Sequence, residues 1–179
     1  MHMKPLLIAA LAIFGFSLTG FAEEANGLRL TAQKTLLEKN KDRDGSPYWD
    51  TVDKALGLKV NIRNISLKDM PEGTLEHIVI VKRWGGSPVR YESFSGTDNL
   101  PPLTKSAEAN LTVGKVALGG YEGLGYSNKY YQDSIEGYQL IAKHDGKETL
   151  KLTSTSSFDK LLAKAKPGKV EKPAKVEKK

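Results

Sequence analysis

The 179-residue chain contains no cysteine, which excludes disulfides, thiolate metal sites and a cysteine nucleophile. Its stability must come from an ordinary hydrophobic core. Histidine is almost absent too, with only His2, His77 and His144. None sits in a metal-spaced pair or beside a nucleophile motif, so the residues predict no enzyme. Paired carboxylates such as Asp42 and Asp44 lie in a turn-rich stretch that would not hold them in register for acid–base work. Apolar runs of membrane-spanning length are also missing.

The longest apolar stretch, Leu6 to Leu18, follows Lys4 and precedes Thr19-Gly20-Phe21-Ala22. A short basic region, an apolar segment too short to span a bilayer and small residues before Glu23-Glu24 predict a secretory signal peptide over 1–22, cleaved after Ala22. Export to the periplasm, the outer surface or the medium follows, with no transmembrane segment once the signal is removed. A cysteine-free exported chain suits a bacterial periplasm or surface. The roughly 130 residues that remain are enough for one core and one domain.

The net charge of +6 divides unevenly. Glu23 to Phe158 holds 18 Lys and Arg against 18 Asp and Glu, whereas Asp159 to Lys179 holds 8 Lys against 3 acids. The basic character therefore belongs to the tail, and the folded part has no bias toward nucleic acid. Without interleaved aromatics the tail has no base-stacking machinery, which leaves acidic polymers or an anionic surface as its possible contacts.

Apolar residues alternate over Leu28, Leu30 and Ala32, and again over Leu56, Leu58, Val60 and Ile62, predicting half-buried strands. Between them, Glu38 to Asp53 is polar and reads as a loop. Leu75, His77, Val79 and Val81 occupy one face of a further strand, with Ile78, Ile80 and Trp84 on the other. A strand apolar on both faces is central and covered twice, so a C-terminal helix or another protein must lie over Ile78 and Ile80. A shorter strand holds Val89, Tyr91 and Phe94, while Gly96 to Lys105, with Pro101-Pro102, is excluded from interior sheet. Ala109, Leu111, Val113, Val116 and Leu118 predict a strand bulged at Gly114.

Around His144-Asp145-Gly146, a two-residue turn would pair Leu140 with Lys151. A three-residue loop pairs Leu140 with Leu150 and is preferred because it aligns apolar residues. Ser156 or Ser157 caps a short helix carrying Phe158, Leu161, Leu162 and Ala165, stopped by Pro167. Beyond it the Lys-rich repeat K-V-E-K-P-A-K-V-E-K-K should be disordered.

Seven or eight short strands without βα alternation define an all-β antiparallel sandwich over 23–158, followed by the short C-terminal helix and tail over 159–179. The segment D-S-I-E-G-Y-Q-L, Asp133 to Leu140, resembles the approach to strand F of the immunoglobulin-like fold. There an acidic residue precedes a Tyr-x-Cys; here Leu140 takes the cysteine place and one extra residue precedes Tyr138. V-N-I-R-N-I-S-L-K, Val60 to Lys68, is similar to strand B of secreted bacterial immunoglobulin-like modules, although Trp84 lies too far on to match their strand C tryptophan. The layout of signal peptide, lone cysteine-free domain and Lys-rich tail resembles small exported proteins of Gram-negative bacteria, some linked with type IV pili. That resemblance implies a noncatalytic surface or pilus-associated role.

Two stretches are candidate sites. Asn40, Asp42, Asp44 and Asp50, around Gly45, nearly spell a calcium loop, but the twelfth position, where a bidentate Glu belongs, is Thr51, and a solvated Asp-Gly turn is the simpler reading. Gly119 to Tyr131 carries Tyr121, Tyr126, Tyr130 and Tyr131 among glycines, a composition suited to recognition of a protein or a glycan. With Ile78, Ile80 and Trp84 these tyrosines are the expected binding residues, for a protein partner or self-assembly first and for a carbohydrate second.

Overall fold

A computed structural model describes residues 20–42, 48–85, 88–123 and 130–168. They form β1 (Phe21–Ala25), β2 (Leu28–Asp42), β3 (Trp49–Asn64), β4 (Gly73–Arg83), β5 (Arg90–Leu100), β6 (Glu108–Gly123), β7 (Tyr130–Gln132), β8 (Ser134–His144), β9 (Lys147–Thr153), α1 (Phe158–Leu162) and β10 (Ala165–Pro167). One sheet has the order β1-β2-β3-β6-β7 and the other β10-β5-β4-β8-β9.

Ten strands replace the seven or eight expected, and the difference lies in β1, β7 and β10, of five, three and three residues. The seven long strands partition as β2-β3-β6 against β5-β4-β8-β9. This is the immunoglobulin-like arrangement, with β3 in the place of strand B and β8 in that of strand F. Those are the two segments whose sequences resemble those strands.

Alternation builds the core. Leu28, Leu30, Leu58, Val60 and Ile62 from one sheet meet Leu75, Val79, Val81, Leu140 and Leu152 from the other, all essentially without solvent contact. Each such side chain stabilises the fold by about 1.5–3 kcal/mol relative to exposure. Tyr138 crosses between the sheets and its hydroxyl donates to the Ala32 carbonyl at 3.1 Å, a different bond from the corner contact usual for a strand F tyrosine. Burial pushes the phenol pKa up to about 12.

Several local expectations are corrected. The polar stretch Glu38 to Asp53 is mostly strand, because β2 and β3 stay paired from Leu28↔Asn64 to Asp42↔Thr51. Gly96 to Leu100 belongs to β5, fully paired with β4; only Pro101 and Pro102 fall outside. The turn at Asp145-Gly146 has two residues, both at positive φ, and a bulge between Ala142 and Lys143 brings Leu140 opposite Leu152. The bulge achieves the apolar alignment that a longer loop was expected to provide. The same turn chemistry at Asn26-Gly27 folds β1 back on β2. The helix ends at Leu162, and Ala165 joins β10, parallel to Tyr91–Ser93 of β5, where an outer edge tolerates Pro167. As expected, β6 is irregular at Gly114, which sits at φ +62°.

The second face of β4 is covered from within the chain. Ile80 is fully buried and pairs with Gly137, over which a Cβ would lie 3.4 Å from Phe158 Cδ2 of α1. Ile78 is half-buried.

Candidate functional site

Strands β2, β3 and β6 have 15, 16 and 16 residues, whereas β4, β5 and β8 have 11. The ends of the longer strands form a wing that reaches past the other sheet. Pairing register sorts its side chains, since paired residues share a face. Glu38–Ala55–Ala117, Asn40–Asp53–Gly119, Asp42–Thr51–Tyr121–Tyr131 and Trp49–Gly123 lie on the outer face. Lys39–Lys54–Leu118, Lys41–Val52–Gly120–Gln132 and Asp50–Glu122 lie on the face that continues the core.

Charge is segregated by this period of two. The lysines Lys39 and Lys41 both reach Glu122 Oε2, at 3.5 and 2.6 Å. Their hydrogen bonds and charge lower the Glu122 pKa, the bond from Lys41 contributing most. Lys54 donates to Gln132 Oε1, and burial is the main cause of its lowered pKa. Over those four rows the outer face carries three exposed carboxylates, Glu38, Asp42 and Asp53, and no Lys or Arg among the described residues, with exposed Lys115 next along β6 beyond Ala117.

On that outer face the aromatic residues meet. Trp49 and Tyr131 are 5.5 Å apart between ring centroids, Tyr131 and Trp84 4.9 Å, and Trp84 and Tyr121 5.9 Å. The result is one continuous row, Trp49–Tyr131–Trp84–Tyr121, with Trp84 45% and Tyr121 40% exposed. Trp84 reaches the row from the end of β4, in the other sheet.

Asp133 holds this junction. Its Oδ1 accepts from the Trp84 backbone N–H at 2.8 Å, and its Oδ2 accepts from Arg83 Nη1 at 2.7 Å and the Gly119 N–H at 3.1 Å. The Asp133 N–H returns a bond to the Gly119 carbonyl at 2.9 Å. Arg83 also donates to Glu92 at 2.8 Å and to the Ala117 carbonyl at 2.9 Å. Desolvation opposes its charge, but the bonds to Asp133 and Glu92 outweigh it and raise the guanidinium pKa. Gly120 admits β7, because a Cβ there would sit 2.4 Å from the Tyr131 carbonyl oxygen.

The structure thus unites Trp84 with Tyr121 and Tyr131, which lie in separate stretches of the sequence, and adds Trp49 from within the stretch expected to be a loop. Tyr130 opens β7 opposite Glu122, and Tyr126 lies outside the described residues. Ile80 is withdrawn beneath α1 and has no surface for a partner. Of the calcium candidates, Asn40 and Asp42 are two residues apart in strand β2 and Asp50 lies on the opposite face, while Asp44 is outside the described residues. The Asn40 amide donates to Glu38 Oε1 at 3.0 Å. Among the described residues no group of three or more His, Cys, Asp or Glu side chains is placed to hold a metal ion.

The two histidines lie elsewhere. His77 Nδ1 stands 3.2 Å from Asp98 Oδ2 but is misaligned for a hydrogen bond, and His144 Nδ1 lies 3.0 Å from Thr149 Oγ1. Burial lowers both pKa values, partly offset by Asp98 and Asp145.

Fold and surface together define an immunoglobulin-like β-sandwich with an aromatic, acidic face on its longer sheet. No family model and no curated protein matches the chain. Among solved structures it is similar to the X-ray structure of a Northeast Structural Genomics Consortium target, at 11% identity and a TM-score of 0.38, covering 83% of this chain and 93% of that one. Among the described residues no helix is long and apolar enough to cross a membrane.

Proposed function

We propose that this chain is a noncatalytic, exported binding or assembly module of the bacterial surface or periplasm, in keeping with the pilus-linked proteins its layout resembles. The observation that carries the reading is the row Trp49–Tyr131–Trp84–Tyr121, partly exposed and fixed at its centre by Asp133. Rigid tryptophan and tyrosine rings offer large contact area at low entropic cost, which is how recognition surfaces gain affinity. Export rests on the basic, apolar and small-residue order of residues 1–22.

A photo-crosslinking residue at position 121 of the full chain, in cells, tests the site. A protein partner captured there should be lost on Trp84→Ala and retained on Leu67→Ala, a substitution at an exposed residue of another loop. Capture unchanged by Trp84→Ala places the binding surface elsewhere. Amino-terminal sequencing of the protein purified from whole bacterial cells should begin at Glu23, whereas an intact Met1 would remove the export reading.

A carbohydrate is the second reading, favoured by the polar groups of Asn40 and Asp42 on the same face as the rings. Glycan-array binding that disappears on Tyr121→Ala would replace the protein reading with this one.

A further inference from the structure

Two sheet edges lack a strand partner over part of their length, and the sequence treats them differently. Among the described residues β2 has no outer partner beyond Ala32. There it carries Lys34, Lys39 and Lys41 and a bulge at Leu37, the charges and irregularity that discourage pairing with another chain. Strand β5 has no outer strand beyond Ser93 among the described residues, yet residues 94–100 contain no lysine, no proline and no register shift. We propose that residues 169–174 of the chain itself continue β10 along this edge, as one parallel strand paired with residues 95–100 of β5.

Direction is the first argument. Ala165, Lys166 and Pro167 pair in parallel with Tyr91, Glu92 and Ser93, and Gly168 donates its N–H to the Ser93 carbonyl at 2.8 Å. The chain therefore already heads along β5 toward Leu100. A Cβ on Gly168 would lie 2.4 Å from Phe94 Cε1, so the register holds one step past Pro167. Six of the residues that follow cover the rest of the edge.

Backbone polarity is the second. In a parallel pair, alternate residues of each strand turn their N–H and C=O toward the partner. The Gly168 bond fixes the phase: Ser95, Thr97 and Asn99 point outward from β5, and Val170, Lys172 and Ala174 point back toward them. Pro167 and Pro173 both fall on the other phase, where a missing N–H removes no bond to β5 and blocks a further strand. Pro173 also holds Lys172 in the extended region.

Side chains are the third. Continuing the register sets Val170 opposite Gly96, Lys172 opposite Asp98 and Ala174 opposite Leu100, on the face where Phe94 packs against the core. Gly96 has no side chain to cover the His77 ring, since a Cβ there would lie 2.6 Å from His77 Cε1; Val170 lies next along that row. Asp98 is 41% exposed, and its ion-pair contact is His77 at 3.2 Å, so it is open to Lys172. Lys169, Glu171 and Pro173 fall on the solvent side, beside exposed Ser95, Thr97 and Asn99. The nearest β4 carboxylate there, Glu76, is held by Lys143.

Composition predicts disorder for this segment because it buries too little by itself; the edge supplies backbone partners that composition does not count. A covered edge cannot pair with another chain, so a strand from a second copy gains it only by displacing the segment. The contact is separate from the aromatic row and stands or falls independently of a partner captured there.

The test is amide hydrogen exchange and NOE measurement by NMR on the full chain. The Thr97 and Asn99 amides should be protected, and NOEs should join Val170 to Gly96. Val170→Pro removes an inward N–H and should speed exchange at Thr97 and Asn99 about fivefold or more, whereas Glu171→Pro, on the outward phase, should leave it unchanged. Lys172→Glu, opposite Asp98, should speed it by about 1.4- to 5-fold, and Lys169→Glu should not. Protection should be constant between about 30 and 500 µM protein, as an intramolecular contact requires. Exchange unaffected by Val170→Pro, or equal losses for the two proline variants, would overturn the proposal. So would protection that grows with concentration, which would assign the strand to a second copy.

Discussion

Replacing Asn64 with alanine isolates the contribution of one buried amide. Asn64 ends β3 with no solvent exposure. Its Nδ2 donates toward the carbonyls of Lys68, Leu103 and Thr104 at 2.8, 3.0 and 3.2 Å. Its Oδ1 accepts from the Ser66 N–H and hydroxyl at 2.9 and 2.7 Å. The side chain therefore joins the loop after β3 to the loop before β6. Two amide protons serve three carbonyls, and each carbonyl has a donor after truncation: the Ser66 hydroxyl, whose single proton is released from Asn64 Oδ1, for Lys68, the Met70 N–H for Leu103 and the Ala107 N–H for Thr104. The group left bare is the Ser66 N–H. Counting four independent bonds at about 1 kcal/mol each, with some relaxation at the carbonyls, Asn64→Ala should cost about 3–4 kcal/mol.

Asn64→Asp separates the donor role from the acceptor role. It keeps both bonds from Ser66 but turns a second oxygen toward three carbonyl oxygens, so the ionised form is strongly disfavoured. Its folded pKa must rise above the unfolded value near 3.9. The variant is then least destabilised at acid pH and loses stability as pH climbs through that raised value. Urea unfolding at several pH values, with the m-value checked for constancy, measures both effects. A cost below about 1 kcal/mol for alanine, or an aspartate variant whose penalty does not grow with pH, would refute the reasoning.

Asp133→Ala should remove the shared acceptor of Arg83, Trp84 and Gly119, costing about 2–4 kcal/mol and flattening the near-ultraviolet circular dichroism of the aromatic row while the far-ultraviolet spectrum persists. Gly114→Ala should lower stability by about 1–3 kcal/mol in calorimetry, since the residue sits at φ +62° and the new Cβ would lie 2.8 Å from Val79 Cγ2. Burial lowers the pKa of His77 and His144. Their contribution is therefore present above the unfolded value near 6.5 and lost as pH falls through the lower folded values, and Gln at both positions should flatten that part of the urea stability–pH curve. Phe158→Ala should uncover Ile80 at a cost of about 3–5 kcal/mol, read as increased dye binding together with a lower urea midpoint.

Much of the architecture was legible in the order of residues. Period-two alternation identified the inner faces of β2, β3, β6 and β8, and the Gly114 irregularity was expected from a glycine inside an apolar pattern. Three features were not legible. The wing was mistaken for a loop because Glu38 to Asp42 is wholly polar, and polarity outweighed its alternation of acid with lysine. The turn at Asp145-Gly146 was misjudged because a bulge elsewhere in a hairpin can restore register. Trp84 could not be joined to Tyr121 and Tyr131, since that contact depends on a crossover between sheets.

The sequence by itself determined the class of object: a cysteine-free sandwich whose alternating strands must bury one face, with its excess positive charge confined to the tail. Those properties follow from local periodicity and composition, which need no knowledge of distant partners. The tertiary structure decided the surface. Pairing register placed Glu38, Asp42 and Asp53 beside Tyr121, Tyr131 and Trp49, and Asp133 drew Trp84 across from the other sheet. Neighbours on a sheet face come from residues tens of positions apart, and only the register of the paired strands says which of them meet.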